Sequence, residues 1–90
     1  MTLHALTTLS NSEATRLTPL GMHSGMDITI QNVDASAYVY IGGEDVSSSD
    51  YGYRLLPNNA LAFELPPLDS IYAITSVNGS KIAVMQVGLE

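Results

Sequence analysis

Cysteine is absent from the chain, so disulfides, thiolate metal sites and a cysteine nucleophile are all excluded, and stability has to come from packing. Positive charge is scarce as well: Arg16, Arg54 and Lys81 stand against nine acidic residues, for a formal net charge of -6. So few cations cannot neutralise the run of phosphates that a nucleic-acid interface engages, and nucleic acid is not an expected partner. Long apolar runs are missing too. Asp27, Gln31, Glu64 and Ser76 interrupt the apolar stretches, which excludes a run of about 18–20 residues able to cross a bilayer as a helix; no membrane partner is expected. The first residues, Met1 to Leu6, carry neither the Lys or Arg nor the continuous apolar block of a secretory signal. The expectation is synthesis into, and initial residence in, the cytoplasm.

What the chain does have is apolar material: 46% of its 90 residues, with mean hydropathy +0.17. That suffices for one small core and excludes two of ordinary size. Only 13% of residues are charged, against a usual share of about 25%, so much of the surface must be Ser, Thr, Asn or apolar.

From Gly25 onward the sequence reads as short strands separated by turn residues. In 26–32, Met26, Ile28 and Ile30 alternate with Asp27, Thr29 and Gln31, the period of two that turns one strand face to a core and the other to water. Residues 37–41 are rich in Tyr and β-branched residues and stop at Gly42-Gly43. A segment over 53–56 ends at Pro57-Asn58-Asn59, a fixed proline φ followed by residues tolerant of the left-handed region. Leu61, Phe63 and Leu65 alternate with Ala62 and Glu64 before Pro66-Pro67 removes two ladder donors. The segments 70–77 and 81–87 flank Asn78-Gly79 and read as a hairpin. Both are apolar on both faces, which places them centrally or beneath a second covering layer, so another layer or a partner must cover them. The expected fold is all-β, a compact sandwich or small barrel of six or seven short strands.

The opening 24 residues differ. Leu3, Leu6 and Leu9 have helical spacing, but Thr2, Thr7, Thr8, Thr15 and Thr18 disfavour a helix. The reading is an extended N-terminal arm over 1–24, with a strand near Thr15 to Thr18, attached to a sandwich domain over 25–90. An arm so poor in charge must lie on something apolar, its own domain or a neighbour.

Reactive constellations are thin. The histidines, His4 and His23, both fall in the arm, where neither is held as rigidly as triad chemistry requires, and both read as solvated or interface side chains. Glu44 and Asp45 are adjacent, so on a strand they point to opposite faces; beside Gly42-Gly43 they read as a polar turn. Asp45 to Asp50, with Ser47, Ser48 and Ser49 between, offers oxygen atoms without the spacing of a calcium loop, and reads as a Ser-rich loop bonding its own backbone. Gly21 to Gly25 and Gly42-Gly43 precede no helix and carry no phosphate-loop lysine. No catalytic residue, cofactor or metal is assigned, and the chain is not expected to be an enzyme. Tyrosine is the enriched aromatic. Tyr38 and Tyr40 share one strand face while Val39 and Ile41 share the other, so one pair faces the core and the other is available to a second layer or a partner.

Across Asp27 to Leu89 the chain resembles small β-rich virion structural proteins of tailed bacteriophages, especially those infecting actinobacteria. The resemblance rests on Tyr38-Val39-Tyr40-Ile41-Gly42-Gly43, on Asp45-Val46-Ser47, on Tyr51-Gly52-Tyr53-Arg54-Leu55 and on Leu68-Asp69-Ser70-Ile71-Tyr72-Ala73-Ile74. These are turn glycines and core positions, so they imply a place of work and no site chemistry. The implied role is similar to that of capsid decoration (cement) proteins: a homo-oligomer or many copies on the outer capsid surface of the virion, bound to the major capsid protein, after synthesis in the host bacterial cytoplasm. The expected partner contacts are Leu3, Leu6, Leu9 and Leu17 of the arm, together with Tyr38 and Tyr40. An arm of that kind would be removable, so a chain lacking residues 1–20 is expected to fold and to lose loading onto capsids. The alternative is a tail or baseplate component binding host glycan through Tyr38/Tyr40 or Tyr51/Tyr53.

Overall fold

Alternation sets the spine of the fold. In the strand Met26–Asn32, Met26, Ile28, Ile30 and Asn32 are buried while Asp27 and Gln31 face solvent, and Lys81–Val87 repeats the pattern with Ile82, Val84 and Gln86 inward. The computed structural model describes residues 2–17, 25–66 and 69–88. Among these, eight strands occur: β1 (Thr2–Thr8), β2 (Thr15–Arg16), β3 (Met26–Asn32), β4 (Val39–Gly42), β5 (Tyr53–Leu55), β6 (Ala60–Leu65), β7 (Tyr72–Thr75) and β8 (Lys81–Val87). They form two antiparallel sheets of four, ordered β1-β8-β3-β6 and β2-β7-β4-β5.

The all-β expectation holds as a sandwich; the sheets are separate, so the barrel form does not apply. Ile28, Ile30, Ile82 and Val84 of the first sheet pack on Val39, Ile41, Leu55 and Ala73 of the second, with Leu9, Leu17, Met26 and Leu65 closing the margins. Removing these branched side chains from water is the main driving force for the fold.

The chain changes sheets at almost every connection; among the described residues only β4 and β5 are consecutive neighbours in one sheet. The hairpin expected at Asn78-Gly79 is therefore corrected. Gly79 does take the left-handed region, at φ 89°, but the turn carries the chain from β7 in the second sheet to β8 in the first. Both flanking strands are central, as their two-sided apolar composition requires, each in its own sheet. Asn58, at φ 64°, does the same work between β5 and β6.

The described part of the N-terminal segment is built into the sandwich in place of an extended arm. β1 pairs with β8 from Thr2↔Val87 to Thr8↔Lys81, and β2 pairs with β7 at Thr15↔Ala73 and Arg16↔Tyr72. Between them the chain crosses the open margin of the core. Leu9 N donates to Ser80 O at 2.8 Å, Gly79 N to Leu9 O at 3.0 Å and Leu17 N to Ile71 O at 2.9 Å. The side chains of Leu9 and Leu17 are 2% and 7% exposed. The strand expected near Thr15 is β2; Thr18 and His23 lie outside the described residues.

Candidate interaction surfaces

The outer face of the second sheet is built by the alternation in 38–41. With Val39 and Ile41 buried, Tyr38 and Tyr40 turn outward. Tyr40 lies opposite Arg54 on β5 and Ile74 on β7, and Tyr72 lies opposite Arg16 on β2. Directly opposed residues share a face, so both arginines of the chain sit on this one. The Arg54 guanidinium carbon is 5.4 Å from the Tyr38 ring centroid, close enough for a cation–π contact. The rings of Tyr40 and Tyr51 meet at 4.9 Å between centroids, tilted by 44°. Tyr38 remains 41% exposed and Tyr40 is half-buried, while Ile74 beneath them is buried. The result is an aromatic patch with a cation in it, on a chain of net charge -6. Tyr and Arg are the side chains most enriched where protein interfaces carry their energy.

The first sheet presents a different surface. On β1, Leu3, Ala5 and Thr7 lie opposite Gln86, Val84 and Ile82, and so on the inward side. The second sheet ends short of them, because β2 contributes only two residues. Leu3 is 42% exposed as a consequence. Leu3, Ala5, Thr7, Leu17, Val84 and Gln86 line an open hollow of about 370 Å³. Gln86 donates from Nε2 to Leu17 O at 3.1 Å, tying β8 to the end of β2, while its Oε1 is buried with no hydrogen-bond partner among the described residues. On the outer side, His4 and Leu6 of β1 lie opposite Met85 and Ala83 of β8, and Leu6 is 66% exposed.

Of the partner contacts expected from sequence, Leu3, Leu6, Tyr38 and Tyr40 lie at or near the surface. Leu9 and Leu17 are corrected: both are core side chains, Leu9 enclosed and Leu17 showing only its margin at the floor of the hollow, so neither offers the exposed leucine of a free arm. Tyr51 and Tyr53 do not share a platform, since Tyr51 packs tilted against Tyr40 whereas Tyr53 lies opposite Ile41, on the inward side at the sheet margin. Arg54 is the member of the tyrosine patch that sequence reasoning missed; no local signal marked it, because its place opposite Tyr40 is set by the β4·β5 register.

The Ser-rich loop bonds itself: Ser47 Oγ accepts from the N–H groups of Ser49 at 3.3 Å and Asp50 at 3.1 Å. Glu44 and Asp45 are exposed in the turn after β4. His4 stands on the outer side of β1, and no group of three or more metal-ligating side chains occurs among the described residues. No family model, curated protein or solved structure matches the chain.

Proposed function

We propose that this chain is a structural protein of a phage particle, a capsid decoration protein that binds the assembled shell and stabilises it by bridging major capsid subunits. The observation that carries the reading is the Tyr38, Tyr40, Tyr51 and Arg54 patch, an aromatic surface with an arginine in it, of the composition that binds protein. It is joined by the resemblance over Asp27 to Leu89. The mechanism is mechanical. Each docked copy buries surface across a subunit boundary, so separating the subunits costs the shell that buried area as well as its own contacts, and multivalency compounds the effect. No covalent bond is made or broken.

The glycan-binding alternative is weaker on the same patch. Sugar rings stack on open aromatic faces, and here the Tyr38 ring lies under Arg54 while Tyr40 lies against Tyr51. Copy number separates the two readings. Densitometry of purified particles is expected to find this chain at a fixed ratio to the major capsid protein; a handful of copies per particle would place it at the tail instead.

A further inference from the structure

The four sheet margins are not alike. β2 and β5 are two and three residues long, too short to template another strand. β6 carries Glu64 and runs into Pro66, a charge and a missing donor of the kind that blunt an edge. β1 has neither defence: its seven residues, Thr-Leu-His-Ala-Leu-Thr-Thr, contain no Asp, Glu, Lys, Arg, Pro or Gly.

The direction of its free backbone groups follows from the ladder. Leu9 N donates to Ser80 O, and Asn32 N donates to Asn59 O on the far side of the same sheet. With the registers of β1·β8, β8·β3 and β3·β6, both bonds give one parity. Leu3, Ala5 and Thr7 bond toward β8, while Thr2, His4, Leu6 and Thr8 turn their N–H and C=O groups to the edge, which is open among the described residues.

We propose that this edge pairs antiparallel with β1 of a second copy, in the register that sets Ala5 opposite Ala5, so that two first sheets become one continuous sheet. This register pairs every residue of the strand: Thr2 with Thr8, Leu3 with Thr7 and His4 with Leu6 of the second copy. It brings the edge-facing groups of both strands into hydrogen-bonded pairs. It places at the two-fold axis a non-hydrogen-bonded pair, the position of closest side-chain approach, and the residue there is the smallest in the strand. Leu3, half exposed because the second sheet stops short of it, gains a neighbour across the axis.

Electrostatics permit a second copy despite the net charge of -6. The acidic residues of this sheet, Asp27 and Glu64, sit on β3 and β6. From β3 to β3 of the second copy is five strand spacings, about 24 Å, well beyond a screening length of about 8 Å. The antiparallel arrangement also sets the end carrying Lys81 beside the Val87 and Asp27 end of the other copy. An interface of one strand pair falls below the roughly 1,200 Å² of stable complexes, so the dimer is a reversible one that gains from the high local concentration of an array. The inference stands independently of what the larger assembly is.

Sedimentation of the full chain from micromolar to millimolar concentration is expected to show a monomer–dimer equilibrium. Leu6→Lys, a change at an exposed position, is expected to weaken it at least tenfold with unchanged thermal stability. Ala5→Cys reads the register: opposed Cα atoms about 4.5 Å apart suit a disulfide, so mild oxidation is expected to yield a covalent dimer. Thr2→Cys, about 20 Å from its counterpart in this register, is expected to stay monomeric. A chain that remains monomeric at all concentrations with Ala5→Cys uncrosslinked would overturn the proposal and leave the edge to a strand of another protein. Crosslinking of Thr2→Cys in preference to Ala5→Cys would overturn it as well.

Discussion

The side-chain amide of Asn32, at the end of β3 in the first sheet, donates to the carbonyl of Leu55, in β5 of the second, at 3.3 Å. The same Nδ2 reaches Ala37 O at 2.8 Å, and Oδ1 accepts from Asp34 N at 3.0 Å. Asn32 is fully buried. One side chain thus joins the two layers beside the segment that delivers Tyr38 and Tyr40 to the outer face.

Asn32→Ala should therefore destabilise the domain by about 2–4 kcal/mol, since two buried carbonyls and one N–H lose their partner and a cavity opens. Urea denaturation monitored by tyrosine fluorescence would measure it. An effect below about 0.5 kcal/mol, the size expected of an unremarkable surface change, would mean the clamp carries no stability.

Asp34 gives the pH dependence. Its Oδ1 accepts from Ser36 N at 2.8 Å and Ala37 N at 2.9 Å. These backbone N–H groups, Ser36 first, hold the carboxyl below its ordinary value of 3.8. A folded value below the unfolded one means that the stabilisation is fully present above the unfolded value and is lost as pH falls through the folded value. The melting-temperature gap between the native chain and Asp34→Asn should hold from neutral pH to about 5 and close as pH falls through about 4 and below. A gap that is constant over this range would contradict the assignment.

Leu9 and Leu6 test how residues 2–17 are held. Leu9→Ala should cost about 2–5 kcal/mol, the range for a truncated core leucine; Leu6→Ala, on the exposed side of β1, should stay within about 0.5 kcal/mol. Removal of residues 1–20, expected from sequence to leave a folded domain, should instead unfold it, because β1, β2, Leu9 and Leu17 go with it. Circular dichroism of the truncated chain decides; a native spectrum and cooperative melt would refute the structural account of this segment.

How much of this was legible in the sequence depended on whether a signal was local. The alternation of Met26, Ile28 and Ile30 marked β3 with its full bounds, and the two-sided apolar content of 70–77 and 81–87 marked strands that are central or covered, although the first is a strand only over Tyr72–Thr75. Asn78-Gly79 identified a turn, but a left-handed glycine fixes only backbone angles, and whether the chain re-enters the same sheet or the opposite one is settled by long-range packing. β1 was ambiguous for a related reason. As an edge strand overhanging the second sheet, it is exposed on nearly every residue, so burial imposed no period on it, and Leu3, Leu6, Leu9 and Leu17 looked equivalent. Only the fold divides them into surface and core. For the patch, the Tyr38 and Tyr40 parity was readable from the strand, while the contribution of Arg54 needed the β4·β5 register.

Tyr38→Ala and Arg54→Ala probe the patch itself. Both side chains are exposed, and the cation–π contact between them is worth about 0.5–1 kcal/mol, so folding should change by no more than about 1 kcal/mol. Docking should fall much further, by tenfold or more for each, as expected of central aromatic and arginine contacts. Co-sedimentation of the variants with shells lacking the native chain would measure it, and full loading by both variants would move the docking surface elsewhere.

The most direct measurement is a density map of the finished particle. The account predicts this sandwich on the outside of the shell, repeated at equivalent positions over subunit boundaries, with the Tyr38 and Arg54 face turned toward the capsid protein. A shell whose surface carries no such density, with the chain recovered free from the lysate, would contradict it.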